Sequence, residues 1–371
     1  MTIKNDYYDR FFVANGATLN VNGTTEGSKV VGTLYASAWN GATPGHIYIN
    51  GGTYQAPDHT YGLAAIQTNG AAGAAGSTII ATNAAFIAGN FDKEDIQRDG
   101  EGIAAVLAAK GTYEFNGCSF SGATGIYSKG GSISLKNCEI NATGAYYAPE
   151  ANGNGSDSTG DGVVLDTNSS YQGEISLSIE NSTIAAVKGN AICETITRGT
   201  GSATVKLEIE SGSFSGAADK QAVSVTEKFA EKVALGDATA AISGGTFSSE
   251  VAEILCADGF IPTENEDGTF GVKEGEYVVR IVETGKGYET IAEVCEDAKN
   301  IEGKKLAIPM YILVSSHALQ MAERMGIKDV LDTAGAELIA DSCPDQSCWH
   351  YLKGKVGITE SPKCAYYPRR R

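Results

Sequence analysis

TYEFNGCSFSG (residues 112–122) and SISLKNCEINATG (residues 132–144) follow one template. In each, apolar residues alternate with polar ones: Tyr113 and Phe115 in the first, Ile133 and Leu135 in the second. That period-two pattern is the mark of a strand with one buried face. Asn116-Gly117 and Asn137-Cys138 then interrupt the alternation, and one large apolar residue follows, Phe120 or Ile140. Asn and Gly accept the left-handed backbone that a sharp turn between strands requires. The pattern therefore predicts strand, corner, strand.

The template recurs on both sides. IYINGGTYQA begins at Ile47, IIATNAAFIAG at Ile79, ISLSIENSTIAAV at Ile175, VKLEIESGSFSGA at Val205 and TAAISGGTFSS at Thr239. The large apolar residues after the corners are Tyr54, Phe86, Phe120, Ile140, Ile184, Phe214 and Phe247, at intervals of 32, 34, 20, 44, 30 and 33 residues. Each unit adds a second apolar strand after a glycine-bearing turn, as in GIAAVLA from Gly102, GVVLDT from Gly162 and NAICETI from Asn190. Short strands repeating every 20–50 residues are the signature of a solenoid, and no helical segment recurs with them. The expected fold is mainly β: a right-handed parallel β-solenoid (β-helix) over residues 14–273, followed by a small α/β segment over residues 285–371. Phe120, Phe214 and Phe247 should share one core column. The longest insertion, residues 144–162, should leave the solenoid on one side.

Composition limits the rest. The 371 residues carry a net charge of −17, with 46 glycines and 8 cysteines. Residues 301–371 hold ten Lys/Arg and eight Asp/Glu, so residues 1–300 carry 18 basic against 37 acidic groups, a balance of −19. Such a body repels phosphate backbones, so no nucleic-acid partner is expected. No apolar run reaches the roughly 18 residues of a membrane span. No export signal is visible at MTIKNDYYDRFFVANG, which points to the cytoplasm, or to a cell-surface protein whose N-terminus lies further upstream.

Near residue 275 the periodicity changes. YETIAEVCEDAKNIEG, from Tyr288, spaces Ile291, Val294, Cys295 and Ala298 as an amphipathic helix. LAIPMYILV reads as a buried strand and SSHALQMAERMG as a helix capped by Ser315 or Ser316 and ended by Gly326. IKDVLDTAG is a further helix closed by Gly335, and ELIAD a strand.

Two resemblances follow. ISGGTFSSEVAEILCADGFIPTENEDGTFGV (residues 242–272) is similar to the end of β-helical repeat regions in bacterial surface, adhesin-like proteins, and the likeness extends over about residues 40–272. It implies a closing hairpin turning at Asp267-Gly268, and a repeat surface that binds a glycan or protein ligand without a cofactor. The segment GKKLAIPMYILVSSHALQMAERMG, DVLDTAGAELIADSCP and GITESPKCAYYP (about residues 303–367) resembles the C-terminal part of the aconitase X catalytic domain, a family of dehydratases acting on phosphomevalonate-type and hydroxyproline-type substrates. The resemblance implies a lyase that removes water from a small hydroxy acid. Cys343 would ligate an iron–sulfur cluster whose open iron polarises the leaving hydroxyl, while Ser361 and Lys363 hold an anionic group. Further cluster ligands would have to come from outside this segment, so the chain alone is expected to lack dehydratase activity. The structural, adhesive role is the leading expectation, and the dehydratase the alternative.

Other candidates carry less. Cys118 and Cys138 occupy equivalent template positions, either as small core residues or as a disulfide between coils. Cys343, Cys348, His350 and Cys364 give C-x4-C-x-H-x13-C, which departs from usual zinc spacings and leaves free thiols as the plainer reading. Asp157 and Asp161 are read as residues of a solvated loop, with calcium ligation as the alternative, and His317 as a packed or surface residue of its helix. Asn22, Asn141, Asn168 and Asn181 stand in N-x-[ST] sequons. No catalytic triad, P-loop or matched set of carboxylates is evident.

Overall fold

The computed structural model describes residues 10–13, 15–23, 27–38, 43–58, 64–70, 76–91, 102–150, 156–171, 174–199, 204–280, 287–290, 293 and 310–340. The chain divides into two compact units, Met1–Gly275 and Glu276–Arg371. The first is mainly β, built on two large sheets of sixteen and eight strands. Apart from a closing hairpin, all strand pairs in these two sheets are parallel. Strands enter from Arg10–Val13 onward, ahead of the boundary expected at residue 14.

Register carries the core. Tyr54 pairs with Phe86, Phe86 with Phe120, Phe120 with Ile140, Ile140 with Ile184, Ile184 with Phe214, and Phe214 with Phe247. All seven template residues thus form one buried column. The rings stack within it: Phe86 and Phe120 lie 5.1 Å apart and Phe214 and Phe247 4.9 Å apart. Burying each ring stabilises the unit by about 2 kcal/mol. A parallel column joins Ile47, Ile79, Tyr113, Ile133, Leu177 and Leu207. A one-residue slip would turn every one of these side chains to solvent, which is why the register holds.

The corners are left-handed, as Asn and Gly permit. Asn83, Asn137 and Asn181 have φ of 52°, 52° and 47°. Gly117 occupies the same position with φ +64°, where a Cβ would come within 2.4 Å of Asn83 Oδ1. On the outside, Asn137 Nδ2 donates to Asn116 Oδ1 (3.1 Å) and Asn181 Nδ2 to Asn137 Oδ1 (2.7 Å), tying adjacent corners together.

The eight-stranded sheet departs from simple alternation. Its strands Ile103–Ala108, Thr124–Ser128, Val163–Asp166 and Ile192–Thr195 are buried at every position. One face joins the main core, while Ile103, Val106, Tyr127, Val164 and Tyr171 form a second cluster. The insertion at residues 144–162 does not leave the fold as expected. Its described parts fold back: Tyr147 N donates to Thr159 O, and Thr124 Oγ1 accepts from Thr159 N (2.9 Å) and Gly160 N (3.0 Å). Polar backbone of an insertion finds partners there, and Ser156, Ser158, Thr159 and Asp161 are buried.

The C-terminal end of this unit changes pattern. A helix, Glu227–Leu235, starts at Thr226, whose hydroxyl accepts from Phe229 N, and stops at the left-handed Gly236. It buries Phe229 in the main core. The closing hairpin forms from Phe260–Glu264 and Phe270–Glu274 and meets the parallel strands where Phe270 pairs with Phe247. Gly268 turns it with φ +79°, and Asp267 Oδ1 accepts from Thr269 N and Oγ1. The outermost strand, Phe260–Glu264, carries Pro262.

In the second unit, Met310–Val314 and Ala336–Ala340 pair in parallel, connected through the helices Ser316–Arg324 and Ile327–Ala334. Ser315 Oγ caps the first helix by accepting from Ala318 N (3.2 Å); Gly326 and Gly335 are left-handed at φ 73° and 92°. The helix expected after Tyr288 falls largely outside the described residues. No helix among the described residues is long and apolar enough to cross a membrane.

Candidate functional site

Cys343, Ser361 and Lys363, the residues singled out for cluster ligation and anion binding, lie outside the described residues, as do Cys348, His350 and Cys364. His317 is exposed on the helix Ser316–Arg324. Among the described residues, no group of three or more His, Cys, Asp or Glu could hold a metal ion. The described thiols do not fit an iron–sulfur cluster: Cys118, Cys138 and Cys193 are buried singly or in a pair, and Cys256 is half-buried elsewhere.

The described residues do gather ionisable groups at one place, on the covered face of the eight-stranded sheet. Ser128 stands opposite Leu165, which sets Lys129 beside Asp166 on neighbouring strands. Both side chains are fully buried, with Lys129 Nζ 4.0 Å from Asp166 Oδ2. The ammonium also lies over the rings of Tyr127 and Tyr171, at 5.4 and 5.5 Å from their centroids. Asp166 is well satisfied: Thr197 N (3.0 Å) donates to Oδ1, while Thr197 Oγ1 (2.6 Å) and Tyr127 O–H (3.1 Å) donate to Oδ2. Burial next to that carboxylate pushes the Tyr127 phenol well up, so it stays a donor. Asn168 Nδ2 extends the network to Thr197 Oγ1 (2.9 Å).

Asp161 stands near this network and is differently placed. Its Oδ1 accepts from Asn190 N (2.6 Å) and Nδ2 (2.8 Å), but Oδ2 is buried without a hydrogen-bond partner. Burial raises the carboxyl, the Asn190 and Thr159 hydrogen bonds and Lys220 only partly opposing it. The Cys193 thiol is held far above its ordinary value by burial first and by the Asp161, Glu194 and Asp166 carboxylates second. A thiol kept protonated is a poor nucleophile. Glu194 is also raised by burial, while accepting from Thr226 N (2.9 Å) and Oγ1 (2.7 Å). The chemistry on offer is a clasp that holds Asn168, Tyr171 and Thr197 against the sheet, rather than a reacting centre.

Among the described residues no metal-binding group stands around Asp157 and Asp161, and the solvated-loop reading of Asp161 is corrected, since its side chain is fully buried. Lys129, just past the end of its strand, and Asp166 were missed because Tyr171 and Thr197 cover them, and alternation alone marks that face as solvent. The helix Glu227–Leu235 was also missed, although its signal is local: a capping Thr226 and a closing Gly236.

Residues 279–371 match the family model of the aconitase X third domain. That match does not reach residues 40–272, so it lends nothing to the likeness with surface-protein repeats. No curated protein and no solved structure matches the chain.

Proposed function

We propose that Glu276–Arg371 is a segment of an aconitase X-type dehydratase, a hydro-lyase surface for a small hydroxy acid, and that Met1–Gly275 is a right-handed parallel β-solenoid. The match of residues 279–371 to the aconitase X third domain carries the first statement. The in-register parallel pairing from Tyr54 to Phe247 supports the second. In this reading Ser361 donates its O–H to the substrate's carboxylate and Lys363 adds a point charge. Cys343 is the iron–sulfur ligand that this segment supplies. No ligand set for the cluster stands among the described residues.

Anaerobic binding of small hydroxy acids to the full chain tests the reading. Binding is expected, and Lys363→Ala should weaken it about tenfold, the worth of a charged hydrogen bond. Absence of binding by any small hydroxy acid would overturn the proposal. Turnover that disappears in Cys343→Ala would show that the chain needs no ligand from elsewhere.

For the first unit, an adhesin-like role rests on its outward rows. Thr78, Thr112, Ser132 and Ser176 stand in register on successive strands, an ordered hydroxyl face suited to a glycan or protein ligand. A glycan and protein-ligand screen with no hit that depends on these four positions would sink it.

A further inference from the structure

We propose that Cys118 and Cys138 are an oxidisable pair, which a small organic disulfide converts into a covalent link between two adjacent turns of the chain. Ser119 pairs with Glu139 and Glu139 with Thr183, so the residues that precede them, Cys118, Cys138 and Ser182, occupy successive rungs of one ladder. Neighbouring strands lie about 4.8 Å apart. That spacing falls inside the roughly 4.4–6.8 Å window of Cα separations that a disulfide spans. The Cys118 and Cys138 side chains are therefore neighbours on the buried side of the ladder. Both are free thiols in this structure and both are buried, at 1% and 3% exposure. Each is also aimed inward at carbonyls: Cys118 Sγ at Ala81 O (3.4 Å) and Cys138 Sγ at Phe115 O (3.3 Å).

Cys118 loses its proton and attacks one sulfur of the small disulfide, whose S–S bond breaks and releases one thiol. Cys138 then loses its proton and attacks Cys118 Sγ, releasing the second thiol; the order with Cys138 first gives the same product. Two protein S–H groups are oxidised to one S–S bond, and the small disulfide is reduced to two thiols. Burial sets the timing. The exchange needs local opening, so it runs during folding and slowly in the native state.

The test refolds the full chain from denaturant with oxidised glutathione, alkylates the remaining thiols in denaturant and maps the peptides. A linked Cys118–Cys138 peptide is expected, with oxidation of the native protein at least about tenfold slower than on refolding. Cys138→Ser should fold, because Ser182 already fills the next rung, and should leave Cys118 alkylated or glutathionylated. Two alkylated thiols in the refolded parent chain, or either one joined to a different cysteine, would overturn the proposal.

Discussion

Phe120 in the first unit touches Phe86 at 5.1 Å and Phe115 at 5.0 Å, all fully buried, whereas the helix Ser316–Arg324 in the second buries none of its side chains. The two regions hold their elements by different means. In the first, each strand is kept by the side chains of its neighbours in register, so one residue's burial depends on residues 20 to 44 positions away. In the second, the described helices are bounded by local chemistry: Ser315 at one end, Gly326 and Gly335 at the others. The teaching is about range. Packing decides where the first unit's strands lie, and caps decide where the second unit's helices stop.

Substitutions should separate the two. Phe120→Ala opens a cavity in the column and should cost about 3–5 kcal/mol in denaturant unfolding, with the loss confined to the first unit's transition. An effect below about 1 kcal/mol would break the claim that the column carries that unit. Asp166→Ala removes the carboxylate beside a buried ammonium, together with the acceptor of Thr197 and Tyr127, and should cost about 3 kcal/mol by the same measurement; a neutral result would remove the clasp. Ser315→Ala removes a helix cap and should cost about 1 kcal/mol, read as lost helicity by circular dichroism, leaving the first unit's transition in place.

The smallest effect is one of pH. Asp161 and Glu194 are raised in the folded chain, so the folded state binds protons more tightly than the unfolded one. Their contribution is complete below the usual carboxylate range and is lost as pH rises through the raised values. Asp161→Asn keeps the acceptor for Asn190 and removes the charge. Its Tm should match the parent's in acid and exceed it at neutral pH; equal values at both would show that the orphaned oxygen is tolerated at no cost.

The corners and the column were legible because each rests on a residue type with one physical use: Asn83, Asn137 and Asn181 for left-handed turns, and Tyr54 through Phe247 for the interior. The hairpin at Asp267-Gly268 and the caps at Ser315 and Gly335 were legible for the same reason. Lys129, Asp166 and Asp161 were not. Whether such a polar residue meets water depends on where neighbouring loops come to rest, and no local pattern around Asp161, Tyr171 or Thr197 reports that. The residues named for dehydratase chemistry rest on family likeness over residues 279–371, and their placement is outside the described chain.

Pro262 has a consequence for how this protein behaves in company. A stack of parallel strands ends in a bare row of donors and acceptors, an invitation for a second copy to continue it and, repeated, a route to fibres. Here the last strand runs against the others, Phe260–Glu264 antiparallel to Phe270–Glu274, and presents at its middle a residue with no N–H to offer. A strand arriving in either direction meets a missing donor at the centre of this edge. Concentrated solutions of the chain should resist seeding from this end.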